Sequence, residues 1–181
     1  EHIAENTEFP ILRFQGVEAD DIAAYVVSAL PKTATVWLIS SDKDWDLLIK
    51  DGVSRFSTVT RKEITIDNWE EHYDVEPDKY LTLKCLAGDT GDNIPGIAGI
   101  GPKRAVSLIN DYGDLYDIYN SCPIDSKYKF IQSLNENADR LLLNAELMDL
   151  VSYSEQALIE ADMNLEDLSS QIIGYLNENR D

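Results

Sequence analysis

The chain has 181 residues, of which 44% are hydrophobic, and its formal net charge is −19. This length supports one core or two small lobes. The absence of a long apolar run and of a basic, apolar leader pattern predicts a cytoplasmic protein with no membrane attachment. Its two cysteines lack the spacing of metal ligands and predict reduced thiols.

The negative charge argues against nucleic-acid binding, because phosphate contacts depend on lysine and arginine. The charge is unevenly distributed, however. Residues 131–181 contain eleven acidic and two basic residues, a net of −9, whereas residues 81–130 contain six and five, a net of −1. Any contact with DNA is therefore expected in the middle of the chain.

The first third of the chain predicts an α/β arrangement from its hydrophobic periodicity. The expected elements are a strand at 11–15, a helix at 17–30, a strand at 34–40, a short helix closing near Gly52, and strands at 53–57 and 63–66. The continuous apolar character of the second strand is typical of a parallel sheet that is covered on both faces.

From residue 67 onward the pattern predicts helices. Their expected bounds are 68–73, 77–86, 102–111, 115–120, 126–134, 139–151 and 165–179. The chain should therefore end in a helical lobe that follows the α/β segment.

Three groups of carboxylates lie where an α/β sheet places ligands, at strand ends and in one glycine-containing loop. They are Glu18, Asp20 and Asp21, then Asp42 and Asp44, then Asp89 and Asp92. A positive φ at Gly91 would let the last pair point the same way. Converging carboxylates need cations, and hard oxygen ligands favour Mg²⁺ or Mn²⁺. A pair of such ions about 4 Å apart is the usual device for phosphodiester cleavage.

Each group also has an ordinary structural interpretation. The first three acids could favour a helix N-terminus through the helix dipole. Ser41 and Asp44 fit a capping box, with Ser41 as the N-cap. The alternating aspartates after Ser41 resemble an EF-hand loop, but Leu47 stands at the required glycine position, which excludes calcium sensing of that kind.

A glycine-rich turn follows the last acidic pair and opens a helix. Gly96, Gly99 and Gly101 would let a nucleic-acid backbone approach, and Pro102 suits the first position of a helix. The free N–H groups of a helix start attract anions. Beside this turn lie two basic residues, Lys103 and Arg104. They could contact phosphate or simply form a solvated helix face.

Four stretches together are similar to one known family. They are GVEADD at 16–21, SSDKDWD at 40–46, GDTGDNIPG at 88–96 and GIGPKRA at 99–105. In this order they resemble the 5′-nuclease, or flap endonuclease, family, especially phage 5′-exonucleases and the nuclease domain of bacterial DNA polymerase I.

The resemblance implies a fold and a division of the chain. Residues 1–66 would be the C-terminal part of a PIN-like α/β nuclease core, a partial parallel sheet with flanking helices that lacks the family's N-terminal strand and basic arch. Residues 67–135 would be a helical lobe with a helix-hairpin-helix element at about 93–111. Residues 136–181 would be acidic helices packed on the core.

The resemblance also implies site residues and ions. One metal ion and its surroundings would use Glu18, Asp20, Asp21 and Asp42, and a second would use Asp44, Asp89 and Asp92. The helix-hairpin-helix residues Gly96, Gly99, Ile100, Gly101, Lys103 and Arg104 would hold duplex DNA. Backbone carbonyls of this element could also bind K⁺.

The resemblance predicts a two-metal nuclease that acts on a 5′ flap or 5′ end of DNA or RNA-primed DNA in replication. An N-terminal nuclease fragment or second polypeptide would supply the missing strand and arch. Two alternatives stay open: a non-catalytic module that only binds DNA, and an acidic interaction protein that binds neither DNA nor Mg²⁺.

Overall fold

A computed structural model describes residues 11–30, 32–161 and 164–178. The α-helices are α1 (Ala19–Ala29), α2 (Tyr80–Ala87), α3 (Pro102–Tyr112), α4 (Leu115–Ser121), α5 (Lys129–Glu136), α6 (Asp139–Met148), α7 (Leu150–Glu160) and α8 (Leu165–Glu178). The strands are β1 (Val36–Ile39), β2 (Val53–Ser57), β3 (Lys62–Ile64), β4 (Gly88–Asp89) and β5 (Ile94–Pro95), and short 3₁₀ helices span Asp44–Leu48, Trp69–Glu71 and Pro77–Lys79. None of the described helices has the length and apolar character needed to cross a membrane.

The first three strands form one small mixed sheet in the order β1-β2-β3. Strands β1 and β2 are parallel, with Val36 opposite Val53 and Ile39 opposite Phe56, whereas β3 runs antiparallel to β2. A parallel pair needs a crossover, and here the 3₁₀ helix Asp44–Leu48 lies within it. The predicted α/β class with a partial parallel sheet is confirmed, and β3 adds an antiparallel strand.

The strand predicted at 11–15 is wrong, because these residues have no strand geometry. Leu12 and Phe14 instead pack in a cluster with Tyr25 of α1, Leu158 of α7 and Leu168 of α8. The alternation of apolar residues therefore reflects packing against helices. The described chain opens with a segment that has no regular secondary structure, followed by a helix and a strand.

Several predicted helices differ from the observed ones. The segment 68–73 contains only a 3₁₀ turn, and 77–86 begins as 3₁₀ before it becomes α2. The helix predicted over 139–151 is two helices, since Asp149 accepts hydrogen bonds from the amides of Val151 and Ser152 and begins α7 there. The sequence interpretation missed the rest of α7. Residue 179 lies outside the described residues.

The largest apolar cluster joins the helices of the second half of the chain. Leu86, Ile118, Leu134 and Leu141 are fully buried in it. Buried Asn144 of α6 donates to the carbonyls of Cys85 and Pro95 at 2.9 and 3.0 Å. These bonds hold the end of α2 and strand β5 in place, and so position the acidic loop between them.

Candidate metal centre and nucleic-acid interface

Asp42 and Asp44 follow strand β1 in a tight turn. The amide of Asp42 donates to Ser40 Oγ at 3.1 Å, and the amide of Asp44 donates to Asp42 Oδ1 at 2.9 Å. The N-cap of the 3₁₀ helix is Lys43, with no side-chain cap. The alternative of a capping box headed by Ser41 is therefore wrong, because Asp42 holds the turn instead.

A buried ion pair anchors this 3₁₀ helix to the sheet. Asp46 accepts hydrogen bonds from Arg55 Nε at 2.5 Å and Arg55 Nη2 at 2.8 Å, and also from the Tyr73 hydroxyl. Arg55 Nη1 also donates to the carbonyl of Ser40 at 2.9 Å. Bidentate pairing of this kind fixes orientation as well as charge. The turn that carries Asp44 is thus tied to β2 at both of its ends.

The second acidic pair lies on the hairpin of the short strands β4 and β5, with Asp89 at the end of β4 and Asp92 in the loop that follows. Asp89 Oδ1 accepts from the amides of Gly91 at 2.8 Å and Asp92 at 3.4 Å, which folds the loop back on itself. The expectation of a positive φ at Gly91 is wrong. Gly88 and Asn93 take that conformation, with φ of 80° and 57°. The reversal occurs at the two ends of the loop, where β4 leaves α2 and β5 begins.

Three of the predicted ligands converge. Carboxylate oxygens of Asp44, Asp89 and Asp92 all lie within 4.8 Å of one another. Buried Lys84 of α2 lies beside them, with Nζ bonded to Asp44 Oδ1 and to Asp89 Oδ2, the latter at 3.0 Å. At formal charge, three carboxylates and one ammonium leave this group at −2.

The pKa values of these groups reflect burial and mutual pairing. Burial raises the pKa of Asp44, and its bond to Lys84 offsets this only in part. The bond to Lys84 lowers the pKa of the more exposed Asp89. Burial alone would lower the pKa of Lys84, but the bonds to both carboxylates outweigh it and raise that pKa. Lys84 therefore keeps its charge inside the group.

The first acidic group, Glu18, Asp20 and Asp21, lies at the start of α1, where Glu18 is the N-cap and makes no side-chain cap bond. Trp45 Nε1 donates to Asp20 Oδ1 at 2.7 Å, which links this helix start to the 3₁₀ helix that carries Asp44. Burial raises the pKa of Asp21.

The cluster of three carboxylates does not include Glu18, Asp20, Asp21 or Asp42 among the described residues. The contact between Trp45 and Asp20 places the first and second acidic groups on neighbouring elements, as predicted, although the strand expected before the first group is absent from the described residues. A metal-ligand role for these four residues stays a prediction.

Sequence interpretation missed Lys84, Asp46 and Arg55. A signal for Lys84 was present, since it stands in the apolar run of α2, five residues before Asp89. A lysine in such a place needs a carboxylate partner. For Asp46 and Arg55 the pairing depends on the register of β2 beside the 3₁₀ helix, which no local pattern reveals.

The glycine-rich turn expected from the sequence lies between β5 and α3. Gly99 has φ of 80°, and Pro102 lies in the first turn of α3, whose N-cap is Gly101. Ile100 is buried, so its side chain belongs to the core. Gly96 faces inward as well, because a Cβ there would overlap the backbone of Ala87. Its missing side chain thus serves the close approach of β4 and β5.

The two basic residues of α3 differ in their contacts. Lys103 is exposed. Arg104 Nη1 donates to the carbonyl of Gly99 at 2.5 Å, and its Cζ lies 4.7 Å from the centre of the Phe130 ring. Arg104 therefore braces the glycine turn while it remains at the surface, and a phosphate-binding role for either residue stays a prediction.

The most similar proteins include nucleases and a polymerase. Flap endonuclease of Escherichia phage T5 is 44% identical over 154 residues, which are 84% of this chain and 53% of that protein. DNA polymerase I of Rhizobium leguminosarum is 36% identical over 142 residues, 78% of this chain and 14% of that protein. The chain thus spans about half, or less, of the length of these relatives.

A solved structure of bacteriophage T5 flap endonuclease, in a pseudo-enzyme–product complex with DNA and metal ions, superposes with a TM-score of 0.88 at 39% identity. The match covers 96% of this chain and 64% of that one. A family model described as 5′-3′ exonuclease, C-terminal SAM fold, matches residues 75–172, which is more than half of the chain. This chain belongs to the 5′-3′ exonuclease family.

Proposed function

We propose that this chain is the C-terminal portion of a divalent-metal-dependent, structure-selective nuclease that hydrolyses phosphodiesters near a 5′ flap or 5′ end. Its substrate would be DNA or RNA-primed DNA in replication. The observation that carries the proposal is the convergence of Asp44, Asp89 and Asp92 beside Lys84. The similarity to a flap endonuclease crystallised with DNA and metal ions supports it.

The residues of the cluster fit a divalent ion. Carboxylate oxygens are the ligands that Mg²⁺ and Mn²⁺ prefer, and the formal charge of −2 left after Lys84 matches one such ion. Asp44, Asp89 and Asp92 would hold it, and Glu18, Asp20, Asp21 and Asp42 would serve a second ion. Such ions supply a reactive hydroxide and neutralise charge on the leaving oxygen.

The protein's own groups then have separate tasks. Asp46 and Arg55 hold the turn that carries Asp44, and the loop bonds of Asp89 hold its carboxylate toward the cluster. Lys84 limits the repulsion between Asp44 and Asp89, which keeps the two carboxylates close together.

The turn and helix at 93–111 would hold duplex DNA next to the metal cluster. Strands β4 and β5 pair directly, with Asp89 opposite Ile94, so the acidic loop and the glycine turn are joined by one short hairpin. Lys103, Arg104 and the turn amides would contact phosphates, which positions DNA without reading its sequence. Carbonyls of the turn could hold K⁺.

An N-terminal fragment or second polypeptide would complete the sheet. Strand β1 is at an edge of the described sheet, and its Trp37 and Ile39 are 47% and 59% exposed. An apolar, unpaired edge favours the addition of a strand. The match to 64% of the T5 enzyme's chain supports the same view.

The three-part division of the chain, at residues 66 and 135, belongs to this proposal. The contacts of α7 with α1 support the packing of the acidic C-terminal helices on the α/β part. A cytoplasmic location, in the bacterial host for a phage protein, follows from the proposed role in replication.

A nuclease assay tests the proposal on a 5′-flap DNA with Mg²⁺. The chain is mixed with the portion of T5 flap endonuclease that it does not match. We expect cleavage that Asp44→Asn or Asp92→Asn abolishes while DNA binding persists, and that exposed Asp78→Asn leaves unchanged. Full cleavage by both site variants would refute the metal assignment.

The same open edge of β1 favours one second candidate, a DNA-binding module without catalysis. The chain alone separates the two functions. Cleavage of the flap DNA by the chain alone would exclude the binding-only function. DNA binding without cleavage, even in the reconstituted mixture, would support it.

A further inference from the structure

A cavity of about 350 Å³ lies beside the glycine turn, between α3 and the segment that leads into α5. Its lining includes Lys103, Arg104 and Asp111 of α3, Asp125 of the facing segment, and the aromatic pair Tyr128 and Phe130. Its volume falls in the range of about 300–1,000 Å³ that is typical of small-ligand sites. None of the proposed metal ligands lines this cavity.

The aromatic pair forms a stacking surface at the cavity wall. The rings of Tyr128 and Phe130 have centroids 5.7 Å apart and planes 20° apart, and Tyr128 is still 59% exposed. The guanidinium of Arg104 lies over the Phe130 ring and bonds the carbonyl of Gly99. The platform is therefore braced against the turn proposed to hold DNA, and an aromatic side chain so exposed can accept a base.

The charged residues of α3 give the cavity one basic end and one acidic end. Lys103 and Arg104 are in the first turn of the helix, whereas Asp111 is in its last turn. At 1.5 Å per residue, Arg104 and Asp111 are about 10 Å apart along the axis. Phosphate is attracted to the basic end, and carboxylates such as those of Asp111 at the other end and Asp125 in the lining accept hydrogen bonds from amino groups such as cytosine N4.

We propose that this cavity binds an unpaired nucleobase of the DNA, stacked on Tyr128, with its phosphate toward Lys103 and its exocyclic amino group toward Asp111 and Asp125. The inference rests on the proposed function, because the adjacent turn brings the strand to the cavity. It adds a contact with a base to a surface otherwise expected to touch only phosphates. Bases with an amino group should bind better than thymine.

Binding of an unpaired base in the cavity is tested by measuring the affinity of the purified chain for oligonucleotides by fluorescence anisotropy. The probes are a labelled short oligodeoxycytidine, an oligothymidine and an abasic oligonucleotide of the same length. Alanine removal of a stacking platform should weaken binding about 5- to 150-fold. We expect Tyr128→Ala to lower the affinity for oligodeoxycytidine to that of the abasic strand, and Tyr128→Phe to retain it. Asp125→Asn should reduce the preference over thymine.

The control variant is Tyr116→Ala, since Tyr116 is equally exposed but does not line the cavity. It should leave all three affinities unchanged. Equal affinity of the wild-type chain for the oligodeoxycytidine and the abasic strand, or no binding of either, overturns the inference. Blunt duplex is measured separately: its binding, weakened by Lys103→Ala and unaffected by Tyr128→Ala, reports on the proposed function alone.

Discussion

Arg55 of β2 donates two hydrogen bonds from its side chain to Asp46, and both residues are almost fully buried, at 3% and 1% exposure. The ion pair ties the turn that carries Asp44 to strand β2. A buried pair of this kind is costly to break, because the remaining partner keeps an uncompensated charge. This ion pair is the clearest structural support for the position of Asp44, one of the predicted metal ligands.

We therefore expect Asp46→Ala to lower the free energy of unfolding by about 3–5 kcal/mol, because Arg55 is left buried and unpaired. Urea denaturation measures this. Lys79→Ala is the matched control, since Lys79 pairs with Asp78 and Asp114 at the surface. Its loss should cost at most about 1 kcal/mol. Similar losses in the two variants would contradict the anchoring role of Asp46.

Lys84→Met should make the stability of the protein more dependent on a cation bound at the carboxylate cluster. Its removal changes the formal charge of the cluster from −2 to −3, so Asp44 and Asp89 repel each other and attract a divalent ion more strongly. We expect a lower melting temperature without metal and a larger rise on addition of Mg²⁺ than in the wild type.

The readout for this variant is thermal unfolding with and without Mg²⁺. Lys127→Met, a change of an exposed lysine, is the control and should show the wild-type response. An equal stabilisation by Mg²⁺ in all three proteins would mean that Lys84 does not neutralise the ion site.

Gly88→Ala should be strongly destabilising. Gly88 has φ of 80°, and a Cβ there would overlap the backbone of Gly96 and the carbonyl of Ile94. Left-handed backbone and overpacking together should cost at least about 2 kcal/mol. Gly174→Ala in α8, where a Cβ meets nothing within 4 Å, should be neutral or stabilising. Chemical denaturation compares the two, and a tolerated Gly88→Ala would show that β4 and β5 can separate freely.

The two cysteines should differ in reactivity. Burial raises the pKa of Cys85 to about 12, and this side chain is fully buried, whereas Cys122 is half-buried. A thiol reagent at mildly alkaline pH should modify Cys122 in the native protein and Cys85 only after unfolding in urea. Cys122→Ser should then show almost no native reaction. Native labelling of both thiols at one rate would contradict the packing of α2.

The sequence by itself determined the α/β start, the helical second half and the acidic and glycine motifs, because these depend on local periodicity, turn chemistry and residue type. Strand β2 and helix α4 lie within one residue of their predicted bounds. The family resemblance rested on the same short motifs, and the match to the family model confirms it.

Only the tertiary structure decided which groups meet. The alternation at 11–15 could not reveal that Leu12 and Phe14 pack against helices, since a strand and an irregular segment that packs on helices share that pattern. Local sequence patterns also could not show that Asp46 pairs with Arg55, or that Lys84 lies between Asp44 and Asp89. The polar contacts among them join residues up to 40 positions apart, and the packing of Leu12 near Leu168 spans far more of the chain.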